Sequence, residues 1–290
     1  MTNTTIKTNI DDLVVLAVTG FISPPTLQRS PYRPDTEGIG TVLIGMAGIV
    51  YNARVGDPAY GWTGDHVEPG ASIAHPDYDI DHAMHYLACV GNEAVVMSGL
   101  AAGAKGVVTG EHARLLVDFE PDVMEQLCVD DKILLKTHGR GMKLLDFPGV
   151  LVKKAGPNLI QHWGLRKSDA GKLQAPVVAE IPAHIMGSGA ELTPEFVDQD
   201  LMTGDKAALA EHGIDNLRLG DLVAVMDTDH RYGRGYKPGG VSIGIIMHGD
   251  SVMTGHGPGC QDILVCANGE IEPVIDADAN LVNYLGMRGA

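Results

Sequence analysis

The chain has 290 residues, 44% of them hydrophobic and 20% charged, which suits one large domain or two ordinary ones and excludes a disordered or fibrous protein. Thirty-seven acidic against 21 basic side chains give a formal charge of −16, so the surface repels phosphate backbones and anionic lipid, and neither nucleic acid nor membrane is an expected partner. With 37 glycines, 16 prolines and 5% aromatic residues, the composition favours many short strands joined by turns over long helices.

In chain order, the run LVVLAV (13–18) reads as a buried strand, and the segment 23–38, with four prolines, as an extended surface loop that covers something. Residues 40–50 form a second apolar run too rich in glycine for a helix, and 51–73 is punctuated by Gly and Pro as strand, turn, strand. Residues 81–90 are expected to be helical, with Ala83, Leu87 and Val90 at helical spacing before Gly91. Segment 91–112 reads as the strand-turn-strand of a small SH3-like barrel or as a plain hairpin. Pro121 opens a short helix, where its missing N–H costs nothing. Segments 127–136 and 217–226 share an apolar lead, an Asp turn and an apolar strand, a pattern typical of barrel strands. Thr193 with Pro194, and 205–212 stopped by Gly213, mark the helical part of the second half. The expected class is β-rich α+β, in two lobes built on small barrels or sandwiches with a few short helices. These are an N-terminal lobe, 1–120, and a C-terminal lobe, 121–290, with short helices near 193–212 and the site in the cleft between them.

Four cysteines without a CxxC pair, no basic leader before an apolar stretch, and no run near the roughly 18–20 apolar residues of a membrane helix point to a reduced, cytoplasmic, soluble protein.

The chemistry-bearing residues concentrate in 227–260. Val241, Ile243 and Ile245 alternate along a buried strand that ends at His248, and His248 and His256 each precede a glycine. Two imidazoles and Asp250 within nine residues can serve as metal ligands or as an acid/base pair, although the spacing matches no standard zinc signature. Just upstream, His230, Arg231, Arg234 and Lys237 reverse the local charge sign, and such arginines on a glycine-hinged loop can grip a carboxylate or phosphate. In the first lobe, His66 and Glu68 fall on one side of an extended segment, a pair that suits a divalent metal, with His75 or Asp77 as a third ligand and Trp62 as a pocket wall. Glu180 and His184 share a face before a glycine-serine turn and can act as base and partner. Asp81 and His85 lie one helical turn apart, and His138 between Lys136 and Arg140 is a secondary anion-facing candidate. No GxSxG, Walker A, HExxH or GxGxxG order is present, and Cys260 reads as a buried structural thiol rather than a nucleophile.

Taken together, GWTGDHVEPGASI, GNEAVVMSG with AKGVVTGEH, THGRGMKLLDFP, EIPAHIMGSG and HGDSVMTGHGPG resemble one bacterial and archaeal family catalogued as a domain of unknown function with N- and C-terminal parts. The resemblance spans nearly the whole chain and implies two β-rich lobes and a cytoplasmic homo-oligomer, without an assigned activity. Such sequences read TGKHGG where this chain has TGEHARL, so a role for Lys or Gly over 111–114 does not carry over. EIP before a glycine-rich turn and the glycine-flanked histidines are also similar to short stretches of the acetamidase/formamidase enzymes.

The residues lead to a metal-assisted hydrolase of a small amide, lactam or related C–N bond in an anionic substrate. In this expectation His66, Glu68, His248 and His256 bind a divalent metal (Zn, Mn or Fe), and Asp250, His184 and Glu180 are catalytic. Arg231, Arg234, His230 and Trp62 bind the substrate. The alternatives are a metal-free acid/base isomerase, cyclase or lyase, and a non-catalytic small-anion-binding protein.

Overall fold

Among the described residues, short β-prone runs separated by glycine turns form nine strands in the first part of the chain: β1 (Leu16–Ile22), β2 (Tyr32–Pro34), β3 (Gly40–Val42), β4 (Ile49–Val50), β5 (Gly70–Ala74), β6 (Glu93–Val96), β7 (Lys105–Glu111), β8 (Leu115–Asp118) and β9 (Lys132–Thr137). The structure, a computed structural model, describes residues 6–26, 32–42, 47–189 and 198–289. Thr193 and Pro194 lie outside these. Antiparallel pairing in the order β1-β9-β6-β7-β8-β5 closes on itself through Phe21↔Ala74 and Ile22↔Ile73, giving a six-stranded barrel with β4 appended to β5. Closure covers the edge of β1 only at Phe21 and Ile22, where it pairs with β5. Ile22, Ile73, Val96, Leu115, Ile133 and Leu135 fill its core, each contributing about 1.5–3 kcal/mol by burial. β1 begins later than the apolar run suggests: Val14 and Val15 precede it and are 70% and 56% exposed. β9 lies beyond the division expected at residue 120, so the barrel takes a strand from the segment assigned above to the second lobe.

Helix α1 (Tyr78–Leu87) packs against β1. It starts three residues before the expected Asp81 because Asp77 caps it, accepting from the N–H of Asp79 at 3.0 Å and Ile80 at 3.1 Å. Helix α2 (Pro121–Met124) opens on its proline.

The second lobe contains β10 (Val150–Val152), β11 (Arg166–Lys167), β12 (Leu173–Val177), β13 (Ala179–Ile181), β14 (Met186–Gly189), β15 (Asp198–Leu201), β16 (Leu222–Thr228), β17 (Tyr236–His248), β18 (Gly259–Cys266) and β19 (Ile271–Ile275). A half-barrel runs β13-β16-β17-β18-β15-β14, with β10 on β18, and β11-β12-β19 forms a separate small sheet. From Val241 onward β17 is buried on both faces. Val241, Ile243 and Ile245 point into one core beside Trp163 and Leu264, and Ile246 points into the other with Cys260 and Leu201. Helices α3 (Pro157–His162), α4 (Lys206–Glu211) and α5 (Leu281–Tyr284) are short. Asp205, expected as the first residue of a helix over 205–212, instead caps α4, accepting from the N–H of Ala207 and Ala208. No helix among the described residues is long and apolar enough to cross a membrane.

The lobes interlock. The first-lobe loop 51–69 crosses onto the second, where the Gly56 N–H donates to Leu219 O at 2.7 Å and the Ala59 N–H to Leu217 O at 2.9 Å. Ala59 is buried within a second-lobe core.

Candidate metal centre

The same loop meets the turn between β17 and β18. The His66 N–H donates to Asp250 O at 3.1 Å, the Gly249 N–H to Val67 O at 2.9 Å and the Asp250 N–H to Ala59 O at 2.8 Å. This lacing holds His66 at φ 50°, a left-handed conformation that is strained for a residue with a side chain. A bulge in β7 between Val108 and Gly110 brings the strand end, and His112 after it, towards β17. Gly110 permits the approach, since a Cβ there would stand 3.0 Å from Met247 Cβ. His248 lies opposite Gly259 in the β17–β18 ladder, and its ring fills the place a Gly259 side chain would take. Asp198 and Asp200, two apart on β15, share one face of their strand.

Four imidazoles and two carboxylates therefore converge between the lobes: His66, His112, His248, His256, Asp198 and Asp200. Three of the rings are oriented by their Nδ1 atoms. His66 Nδ1–H donates to Asp65 Oδ2 at 2.7 Å, His112 Nδ1–H to Glu68 Oε1 at 2.9 Å and His248 Nδ1–H to Gly249 O at 2.9 Å. Each leaves Nε2 for the centre, the arrangement that carboxylate or carbonyl partners impose on metal-binding histidines. The orienting carboxylates are themselves anchored: Ser251 Oγ donates to Asp65 at 2.7 Å and Ser72 Oγ to Glu68 at 2.6 Å. His66 Nε2, His256 Nδ1 and Asp200 Oδ2 form a triangle with edges of 3.3, 3.3 and 2.8 Å. Ligands bound at the usual zinc distances stand about 2.9–3.4 Å apart.

Charge is concentrated out of water. Burial opposes the protonated form of His66, but its hydrogen bonds to Asp200 and Asp65 prevail and push its pKa up to about 10. Burial and the neighbouring His248 push His112 down to about 4, against the pull of Glu68. Burial, with the charge of Asp200 beside it, raises Asp198 to about 8. Asp200, despite its burial, is held well below the usual carboxylate range by His248, His256 and His66. His248 Nε2 and Asp198 Oδ1 are buried without a hydrogen-bond partner. His256, with 28% of its side chain exposed, is the most accessible of the six, while His248 is fully buried.

Of the residues expected as ligands, His66, His248 and His256 come together, whereas Glu68 stands behind His112 as its hydrogen-bond partner. Asp250 sits beside the centre, accepting from Thr203 Oγ1 at 2.6 Å and the Ser251 N–H at 2.8 Å, with Lys206 Nζ 3.6 Å away. Trp62 packs near Gly249 and donates to Pro58 O. Glu180 and His184 lie elsewhere, lining a cavity of about 430 Å³ with His212, Asp227 and Tyr236 that shares no residue with the centre. Arg231 is paired with Asp229 at 2.8 Å, and Arg234 donates to the carbonyls of Met186 and Gly187, so neither guanidinium is directed at the centre. His230 is buried, bonded to Asp262 at 2.9 Å and within 3.3 Å of Gln199 Nε2. His75 and Asp77 serve the start of α1, and His85 bonds Glu111 at 3.0 Å. Cys260 is buried, which holds its thiol well above the usual range.

His112, Asp198 and Asp200 are the functional candidates that sequence reasoning missed. An acidic residue beside a histidine, as at 65–66 and again at 111–112, and the Asp-x-Asp of 198–200 are the available signals.

The family model for the domain of unknown function DUF4438, N-terminal, matches residues 32–161, and that for its C-terminal part matches residues 162–285. The chain belongs to this family. It is similar to a solved structure titled "Crystal structure of TM1086", with 44% sequence identity over 96% of this chain and 99% of that chain and a TM-score of 0.90. No curated protein matches.

Proposed function

We propose that this protein is a metal-assisted hydrolase of a small amide, lactam or related C–N bond, acting in the cytoplasm as a homo-oligomer on an anionic substrate. The observation that carries the reading is the set of three imidazoles whose Nδ1 atoms are engaged and whose Nε2 atoms meet Asp198, Asp200 and His256. Mixed imidazole and carboxylate ligands suit Zn, Mn or Fe better than Ca or Mg. A bound divalent ion would lower the pKa of water to about 7 and supply the nucleophile. Three side chains near the centre fit that division of labour: Ser251 and Ser72 donate to orienting carboxylates, and Cys260 is buried as a thiol. Asp250, a quarter exposed beside the centre, is the residue we assign to proton transfer. Burial of the centre behind His256 favours a small substrate, and the likeness of short segments to acetamidase/formamidase enzymes motivates the C–N bond.

A second reading, metal-free acid/base chemistry, is favoured by one observation. His66, held protonated, and His112, held neutral, stack with ring centroids 5.4 Å apart, an acid and a base within one site.

Untagged protein should be assayed for metal content and screened on small anionic amides and lactams, before and after chelator treatment. Turnover that disappears on chelation and returns with metal supports the hydrolase. Turnover indifferent to the chelator supports the second reading, and protein purified and reconstituted without any bound metal removes the first.

A further inference from the structure

Asp200 presents its two oxygens to different partners. Oδ2 lies 2.8 Å from His256 Nδ1 and 3.3 Å from His66 Nε2, while Oδ1 lies 3.3 Å from His248 Nε2. Of the three candidate triads among the described residues, His66 with His112 and His248 is all imidazole, while two share Asp200: the first, His66 with Asp200 and His256, and the second, Asp198 with Asp200 and His248. We propose that the centre binds two divalent transition-metal ions, one in each of these last two triads, bridged by the Asp200 carboxylate. This rests on the metal reading above and extends it.

The first triad has the compact edges of one coordination face. Of the six buried side-chain atoms without a hydrogen-bond partner among the described residues, two lie in the second triad: Asp198 Oδ1, and His248 Nε2, which has only the ion-pair contact with Asp200 Oδ1 at 3.3 Å. Buried polar atoms are almost always partnered, so these two call for a ligand. A single ion in the first triad would leave both as they are. His112 lies between the triads, with Nε2 4.0 Å from Asp198 Oδ2 and its ring 4.2 Å from that of His248, and completes the second site.

Charge agrees with the count. Asp65, Glu68, Asp198 and Asp200 are four carboxylates on or immediately behind the ligand set. Their four formal negative charges match those of two divalent cations. A pair of ions held by these residues would supply activated water and polarise a substrate oxygen at the same site, which narrows the substrate to one that presents a carbonyl or similar oxygen beside the bond to be cut.

The test is calorimetric titration of chelator-stripped, untagged protein with Co2+, with electron paramagnetic resonance of the Mn2+-loaded form. Two equivalents per chain and a spin-coupled Mn2+ pair are expected. His256→Ala and Asp198→Ala should each reduce uptake to about one equivalent, with circular dichroism reporting that the variants fold. Wild-type protein that saturates at one equivalent, without coupling, overturns the paired centre and leaves a single-metal hydrolase standing. Wild-type protein that takes up no metal overturns both.

Discussion

Gly259 faces His248 across the β17–β18 ladder, and the imidazole lies where any side chain at 259 would have to go. A methyl group there must displace the ring, because the alternative is to move a backbone buried on both sides. Gly259→Ala is therefore expected to lower stability by about 1–3 kcal/mol and to weaken metal binding at least about tenfold. Thermal unfolding and a Co2+ titration on the same sample check this; unchanged affinity would mean that the ring does not depend on that space.

Asp65 accepts from Ser251 Oγ and the Val252 N–H on one oxygen and from His66 on the other. In Asp65→Asn the first two contacts claim the amide oxygen, so the amide NH2 faces His66 Nδ1. The ring must then carry its proton on Nε2, which cannot ligate. We expect about a 10–100-fold loss of metal affinity with the fold kept. An Asn variant that binds metal like the wild type would show that Asp65 does not select the tautomer.

The stability of the metal-free protein should fall on both sides of neutrality. His66 has its pKa raised from 6.5 to about 10, so its contribution is complete below pH 6.5 and disappears as pH rises through 10. His112 has its pKa lowered from 6.5 to about 4, so the unfolded chain takes up the proton first and stability falls from pH 6.5 down to 4. Metal binding in the proposed centre would displace the His66 proton, so loading at pH 7 should release at least one proton per chain. Titrations in buffers of different ionisation enthalpy measure this directly, and an unprotonated His66 would give none from that ring.

Arg54 anchors the loop that carries His66, with two bonds to Asp118 at 3.1 and 2.6 Å and a third to Phe119 O at 2.8 Å. Arg54→Ala leaves a largely buried carboxylate unpaired and should cost about 3 kcal/mol. Denaturant unfolding reads this, and a change below about 0.5 kcal/mol would place the pair among ordinary surface contacts.

His184 and Glu180 line a cavity that shares no residue with the centre. Their double substitution, Glu180→Gln with His184→Ala, should leave Co2+ stoichiometry and affinity as in the wild type. A lost equivalent would tie the two sites together.

The sequence conveyed those parts of the architecture that local chemistry decides. The run before Gly213 forms α4, Pro121 opens α2, and the alternation at Val241, Ile243 and Ile245 ends at His248 in a buried strand. It did not convey convergence. His66 meets Asp200 across 134 positions and His256 across 190, distances over which no spacing rule operates. Asp198 and Asp200 stand in an acidic stretch that resembles a solvated strand until the first barrel is docked against it. The basic loop with Arg231 and Arg234 carried the opposite lesson: its local charge reversal is answered within the loop by Asp229 and by the carbonyls of Met186 and Gly187.

The lacing of loop 51–69 onto the second lobe also sets an order of events during synthesis. His66 and His112 leave the ribosome early, but the turn that fixes His66, the glycine that seats His248 and the strand that presents Asp200 all come from the last third of the chain. A nascent chain thus has its early histidines without the residues that surround them until β15 and the turn after β17 have been made, so any ion taken by the proposed centre would be chosen only after that point.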